Sequence, residues 1–170
     1  MSFADLLNKI RTYSISVFVI QAGGCRGCVD ALSMALSEQK TIKGITFTGN
    51  PKHADCLLIS GCINEKSKEE ILKIYEKIPF PKAVVAAGAC ACSGSLFRRE
   101  GNPLHTVEDV LPVSSWVRGC TPDGTEMLET IVRAMENVKE SRQKGERIRQ
   151  KKKKGFKSKE TTNSKGGRSL

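Results

Sequence analysis

No run in the 170 residues approaches the roughly 20 consecutive apolar side chains of a membrane span, and the first thirteen residues form a mixed amphipathic stretch instead of a secretory leader. Both absences point to an intracellular, soluble chain. Without a route to an oxidising compartment, its seven cysteines read as metal or redox groups in preference to disulfides. There is no internal repeat and no second Cys-x-x-Cys pair. The first 140 residues have no excess of either charge, with 16 Lys and Arg against 16 Asp and Glu. The net charge of +10 lies in residues 141–170, which hold 12 basic and 2 acidic residues. A neutral body gives no sign of a nucleic-acid face, so no specific nucleic acid is expected as a partner.

What is present is one design used three times: an apolar run, a glycine, then a thiol. Val17 to Gln21 leads through Gly23-Gly24 to Cys25-Arg26-Gly27-Cys28. Lys82 to Ala87 leads into Gly88-Ala89-Cys90-Ala91-Cys92-Ser93-Gly94, and Val113 to Arg118 into Gly119-Cys120-Thr121-Pro122. Soft thiolates favour zinc or iron–sulfur. Four of them satisfy one cubane cluster, and the remaining three are too few for a second all-cysteine cluster. Structural zinc is the competitor, but four-thiolate zinc sites usually pair two short Cys-x-x-Cys knuckles. A lone cysteine is ordinarily an inert buried residue, and Cys56, at a strand start, is read that way.

The periodicity predicts strands over 14–21, 43–48, 56–60, 82–87 and 113–118, the first buried on both faces. Helices are predicted over 2–13, 28–39, from Ser67 to the stop at Pro79 and Pro81, and over 123–140. The expected stripe of the third helix is Ile71, Leu72, Tyr75 and Ile78. Residues 95–112 read as a connection with one short helical turn. Alternating strands and helices imply an α/β fold, a parallel sheet with helices on both faces, over residues 1–140. Residues 141–170 read as a basic, largely disordered tail, a candidate contact for anionic lipid or an acidic partner. Arg98 and Arg99 read as a solvated loop in preference to a partner contact, and His105 as a surface or capping residue.

In such sheets ligands gather beyond the carboxyl ends of the strands, where Cys25, Cys28, Cys90 and Cys120 all lie. The motifs Cys25-Arg26-Gly27-Cys28-Val29-Asp30, Gly88-Ala89-Cys90 with Ser93-Gly94, and Gly119-Cys120-Thr121-Pro122 resemble the small subunit of nickel–iron hydrogenases and its relative in respiratory complex I, the 20-kDa subunit family. The resemblance covers roughly Ser14 to Glu140. It implies a flavodoxin-like α/β domain with a single [4Fe–4S] cluster at the strand ends, held by Cys25, Cys28, Cys90 and Cys120. The separated Cys-x-x-Cys is similar to the hydrogenase branch, the complex I branch having adjacent cysteines there, and Asp30 falls where that branch often has an acidic residue. Gly-Cys-Thr-Pro replaces the family's Gly-Cys-Pro-Pro, and Val117-Arg118 its Val-Pro.

Lacking a second, ferredoxin-like cluster domain, the chain is most similar to the short small subunits of energy-converting, membrane-bound hydrogenases. The implied role is an electron relay, not catalytic alone, that serves a hydrogenase-like large subunit on the cytoplasmic face of a membrane. A ferredoxin-like subunit and membrane subunits are further candidate partners. Cys62 also follows a buried run, and Cys92 competes with Cys90. A Cys-x-Cys bite leaves little chain to span two iron corners, which favours Cys90. The rival functions are a free-standing dithiol oxidoreductase using Cys25 and Cys28, activated at a helix N-terminus, and a structural zinc module.

Overall fold

The computed structural model of the chain describes residues 14–37, 44–97 and 104–141. The predicted helix over 2–13, Arg98 and Arg99, and residues 142–170 lie outside the described residues. The chain divides into two units, Met1–Val138 and Lys139–Leu170. The strands and helices below belong to the first, apart from the last three residues of the final helix.

Five strands form the main sheet: β1 (Ile15–Gln21), β2 (Ile45–Phe47), β3 (Cys56–Ser60), β5 (Ala83–Ala87) and β7 (Ser115–Val117). They lie side by side as β2-β1-β3-β5-β7 and every pairing is parallel. Counted along the chain, that is the 2-1-3-4-5 order of flavodoxin-like sheets. A separate two-stranded antiparallel ribbon pairs β4 (Ile63–Asn64) with β6 (Leu104–His105). The helices are α1 (Gly27–Ser37), α2 (Glu65–Lys77), the five-residue α3 (Ala89–Ser93) and α4 over residues 124–141.

Alternation along the strands sends side chains into two cores. On one face Val17, Cys56, Leu58, Val85 and Val117 pack with Leu32 and Ala35 of α1 and with Met127, Leu128, Ile131 and Met135 of α4. On the other Leu57, Ile59, Val84 and Ala86 meet Ile71 and Ile78 from the α2 region, together with Ala91, Val107 and Leu111. Strands β3 and β5 are buried along their whole length. Covered on both faces, they can be apolar runs without alternation, as the sequence has them. Burial of each Leu or Ile side chain contributes about 1.5–3 kcal/mol relative to leaving it exposed.

Three expectations need correction. Strand β1 is buried at Ile15 and Val17 but only half-buried at Phe18, Val19 and Ile20. Its neighbour β2 has three residues and pairs only with Ile15–Val17, so the carboxyl half of β1 has one flanking strand. Helix α2 starts at Glu65, not Ser67. Asn64 is its N-cap and Ser67 its third residue, in a capping box in which each side chain accepts from the other's backbone amide. Such a cap contributes about 1 kcal/mol. The apolar stripe of α2 uses Ile74 in place of Leu72, which is exposed. Spacing of 71, 74, 75 and 78 keeps all four on the inner face.

Helix α4 is capped by Asp123, whose Oδ1 accepts from the amides of Thr125 at 2.6 Å and Glu126 at 3.2 Å. Its first residue, Gly124, lies so close to α1 that an added Cβ would overlap the carbonyl of Ala31. No described helix is long and apolar enough to cross a membrane.

Candidate metal centre

Each parallel strand ends in a loop at the same edge, and the cysteines are spaced along those loops. After β1 the chain passes Gly23 and Gly24 to the exposed Cys25, then turns at Arg26, whose φ is 69°. The carbonyl of Arg26 accepts from the amides of Val29 (2.8 Å) and Asp30 (3.0 Å), which starts α1 with Cys28 in its first turn. After β3 the chain crosses over this loop. Gly23 and Cys62 form an antiparallel bridge, each amide donating to the other's carbonyl at 2.7 and 2.9 Å.

Strand β5 runs into Gly88 and the short helix α3, which presents Cys90 and ends at the left-handed Gly94. The amide of Gly88 donates to Val117 and that of Ala89 to Gly119, both at 2.8 Å. These two bonds fasten the Cys90 turn to the loop carrying Cys120, where the Cys120–Thr121 peptide is cis. The third loop also reaches the first: a Cβ on Gly27 would stand 2.5 Å from the Thr121 methyl and 3.5 Å from Cys25 Sγ.

Cys25, Cys28 and Cys90 border one small cavity, with Gly23, Gly24, Gly27 and Gly61 among its walls. Cys120 is not on that wall, but its charge reaches Cys28. Partial burial raises the Cys28 pKa first, and negative charge on Cys25, Cys90 and Cys120 raises it further. Ionised thiolates at these three positions repel one on Cys28, so a positively charged group beside it would lower its energy. Gly88 leaves room for the Cys28 sulfur itself: its φ is 89°, and a Cβ there would overlap that atom.

The other three cysteines are occupied differently. Cys56 is wholly buried in the core beneath α1 and α4, and burial pushes its pKa up to about 12. Cys62 is buried, its thiol donating to the carbonyls of Gly94 (3.5 Å) and Cys90 (3.7 Å), and burial followed by the neighbouring Cys90 raises its pKa to about 11. Cys92 donates to the carbonyls of Ala86 and Val117, both at 3.6 Å, and burial raises it too. The sequence held one signal for Cys62: Leu57–Ser60, Gly61 and Cys62 repeat the run, glycine and thiol design a fourth time.

Among the described residues no three His, Cys, Asp or Glu side chains converge closely enough to hold a single metal ion. The donor set fits a cluster with one thiolate per iron: three thiols border a space bounded by backbone and glycine, and the charge of the fourth, Cys120, reaches Cys28. His105 sits away from them, on β6, where its Nε2 is paired with the Glu65 carboxylate and lowers that group's pKa. That is the surface role its sequence context suggests.

Comparison with known proteins gives a consistent set of likenesses. Residues 19–134 match the model of a family described as NADH ubiquinone oxidoreductase, 20 Kd subunit. The chain is 42% identical over 125 residues to an uncharacterised protein of Methanocaldococcus jannaschii, covering 72% of this chain and 84% of that one. It is 34% identical over 124 residues to the probable membrane-bound hydrogenase subunit mbhJ of Pyrococcus furiosus, covering 72% and 74%. Among solved structures it is similar to a chain of the membrane-bound sulfane sulfur reductase, an archaeal respiratory membrane complex. There the TM-score is 0.60 and the identity 26%, over 80% of this chain and 76% of that chain.

Proposed function

Because the chain belongs to the NADH ubiquinone oxidoreductase 20 Kd subunit family, which includes subunits of hydrogenase-like and complex I-like oxidoreductases, we propose that it is an electron-transfer subunit with one [4Fe–4S] cluster held by Cys25, Cys28, Cys90 and Cys120. The observation that carries the reading is the convergence of three loops, remote in sequence, that puts three other thiols within electrostatic reach of Cys28. When bound, such a cluster supplies one reversible electron at a potential set by its surroundings. The residues of this chain would hold it, limit water at its inner side and present it at the strand-end edge. The cysteines supply no catalytic base or nucleophile in this reading, so the chain is not catalytic alone.

Exposed apolar side chains flank the cysteine loops in sequence: Leu96, 83% exposed, and Phe97 follow the Cys90 turn, and Trp116 precedes Cys120. Large apolar side chains left exposed there favour coverage by a hydrogenase-like large subunit, with a ferredoxin-like subunit and membrane subunits in the same assembly on the cytoplasmic face. The dithiol reading leaves Cys90, Cys92 and Cys120 without a role.

The test is anaerobic purification from the native source with iron and sulfide analysis and identification of the co-purifying chain. About four irons and four sulfides per chain, together with a larger partner, are expected. A colourless, zinc-loaded monomer would overturn the proposal. The division at about residue 140 is tested by truncation. Residues 147–170 hold ten Lys and Arg and one Glu. Removing them should leave the cluster's optical and EPR spectra unchanged while weakening binding to anionic vesicles, each basic residue near a membrane contributing about 1 kcal/mol. Spectral loss on truncation would make the tail part of the fold.

A further inference from the structure

We propose that Cys62 and Cys92 are positioning residues whose thiols brace the Cys90 turn against the two loops on either side of it. The inference rests on the reading of Cys25, Cys28, Cys90 and Cys120 as cluster ligands.

Cys62 works through backbone and side chain at once. Its amide and carbonyl lock to Gly23, two residues before Cys25, while its thiol points to the carbonyls of Cys90 and Gly94. One residue thereby joins the Cys25–Cys28 loop to both ends of the turn that carries Cys90. Cys92 does the same on the other side. Its thiol reaches the carbonyl of Ala86, in β5, and that of Val117, three residues before Cys120.

Each thiol faces two carbonyls: for Cys62 both lie on the Cys90 turn, and for Cys92 one lies on β5 and one on β7. A single S–H···O contact is weak, but the two thiol protons, each shared between two carbonyls, act on a five-residue helix that is too short to hold its own shape. Sulfur also suits the distances. At 3.5–3.7 Å these are ordinary for a thiol donor and long for a hydroxyl, so serine at either position keeps a donor and recovers the contact only as far as the turn closes on it. Bracing matters for function because the positions of ligands, and of the groups behind them, tune a metal site.

The test compares Cys62→Ala and Cys92→Ala with Cys62→Ser and Cys92→Ser in the full chain, together with its co-purifying partner. Alanine and serine have nearly equal volume, so both carry the same packing loss and their difference isolates the donor. Two readouts are needed. The first is amide exchange at Cys92 and Gly94, which donate to Gly88 and Cys90 within the turn. Alanine should accelerate it about two- to fivefold, the scale of one weak hydrogen bond, and serine should recover part of the loss. The second is the midpoint potential and the g-values of the reduced cluster, which should move in the alanine variants at unchanged iron content and partly return with serine.

Identical behaviour of alanine and serine in both readouts would reduce the two thiols to packing and overturn the proposal. So would parental exchange rates in both alanine variants, whatever the iron content. Exchange can also be followed in the iron-free chain. Acceleration there, with a parent that takes up no iron, would overturn the cluster reading and with it the positioning role, leaving the thiols as struts of the fold.

Discussion

Serine in place of Cys25, Cys28, Cys90 or Cys120, one at a time, is expected to abolish or strongly alter the EPR signal of the reduced cluster and to lower the iron per chain. Serine at Cys56, Cys62 or Cys92 should keep the signal and shift its potential at most. A serine hydroxyl stays protonated near neutral pH and is a poor substitute for a thiolate on iron, so a ligand position cannot absorb the change. The two groups of cysteines differ in their surroundings. Cys25, Cys28 and Cys90 face one cavity and Cys120 acts on Cys28 through its charge, whereas Cys62 and Cys92 lie off that cavity with their sulfurs against backbone carbonyls, Cys62 also touching the Cys90 side chain, and Cys56 lies in the core. The decisive pair is Cys90 and Cys92. An intact cluster in Cys90→Ser with loss in Cys92→Ser would move the ligand two residues along α3.

Alanine at Gly61 is expected to destabilise the protein by about 3–5 kcal/mol, although it adds a single carbon. Gly61 has φ at 85°, a conformation that penalises any Cβ. The added Cβ would overlap the carbonyl oxygen of Gly23 and lie 2.7 Å from its carbon and 2.9 Å from its nitrogen. All three are main-chain atoms, so no side chain can swing aside. Relief requires parting Gly23 from Cys62 and losing both hydrogen bonds of that bridge. On a body of this size the loss should lower the thermal midpoint by about 10 °C or more. Gly49→Ala is the control. Nothing lies within 4 Å of its Cβ position, and it should fall within about 0.5 kcal/mol of the parent. A Gly61→Ala midpoint equal to that of Gly49→Ala would show that the two loops do not cross as described.

How far the sequence disclosed this arrangement depended on the range of the forces involved. Strands β3 and β5 were legible almost to the residue, because buried parallel strands must be apolar throughout and glycine ends them. The start of α2 was misplaced by two residues, because Ser67 does make a capping bond, but from within the first turn. Helix α3 is shorter than the periods that reveal helices. The β4–β6 ribbon pairs residues about 40 apart in two-residue strands, too short for any pattern. The four candidate ligands were legible through their glycine contexts. The placement of Cys62 and Cys92 was not, because it depends on where carbonyls 25 to 32 residues away point, and no local preference encodes that.

The edge strand β7 sets the moment at which the site can exist. Its hydrogen bonds to β5, and those from Gly88 and Ala89 to Val117 and Gly119, are what bring Cys120 beside cysteines made about 30 to 95 residues earlier. During synthesis the first three thiols emerge well before the strand that completes their set, at roughly 5–20 residues per second. Long-range parallel pairing is also among the slower events in folding. Iron should therefore enter after the chain has left the ribosome. Ribosome-bound chains stalled with residues up to about 110 exposed should retain no iron when presented with a cluster donor, whereas released full-length chains should.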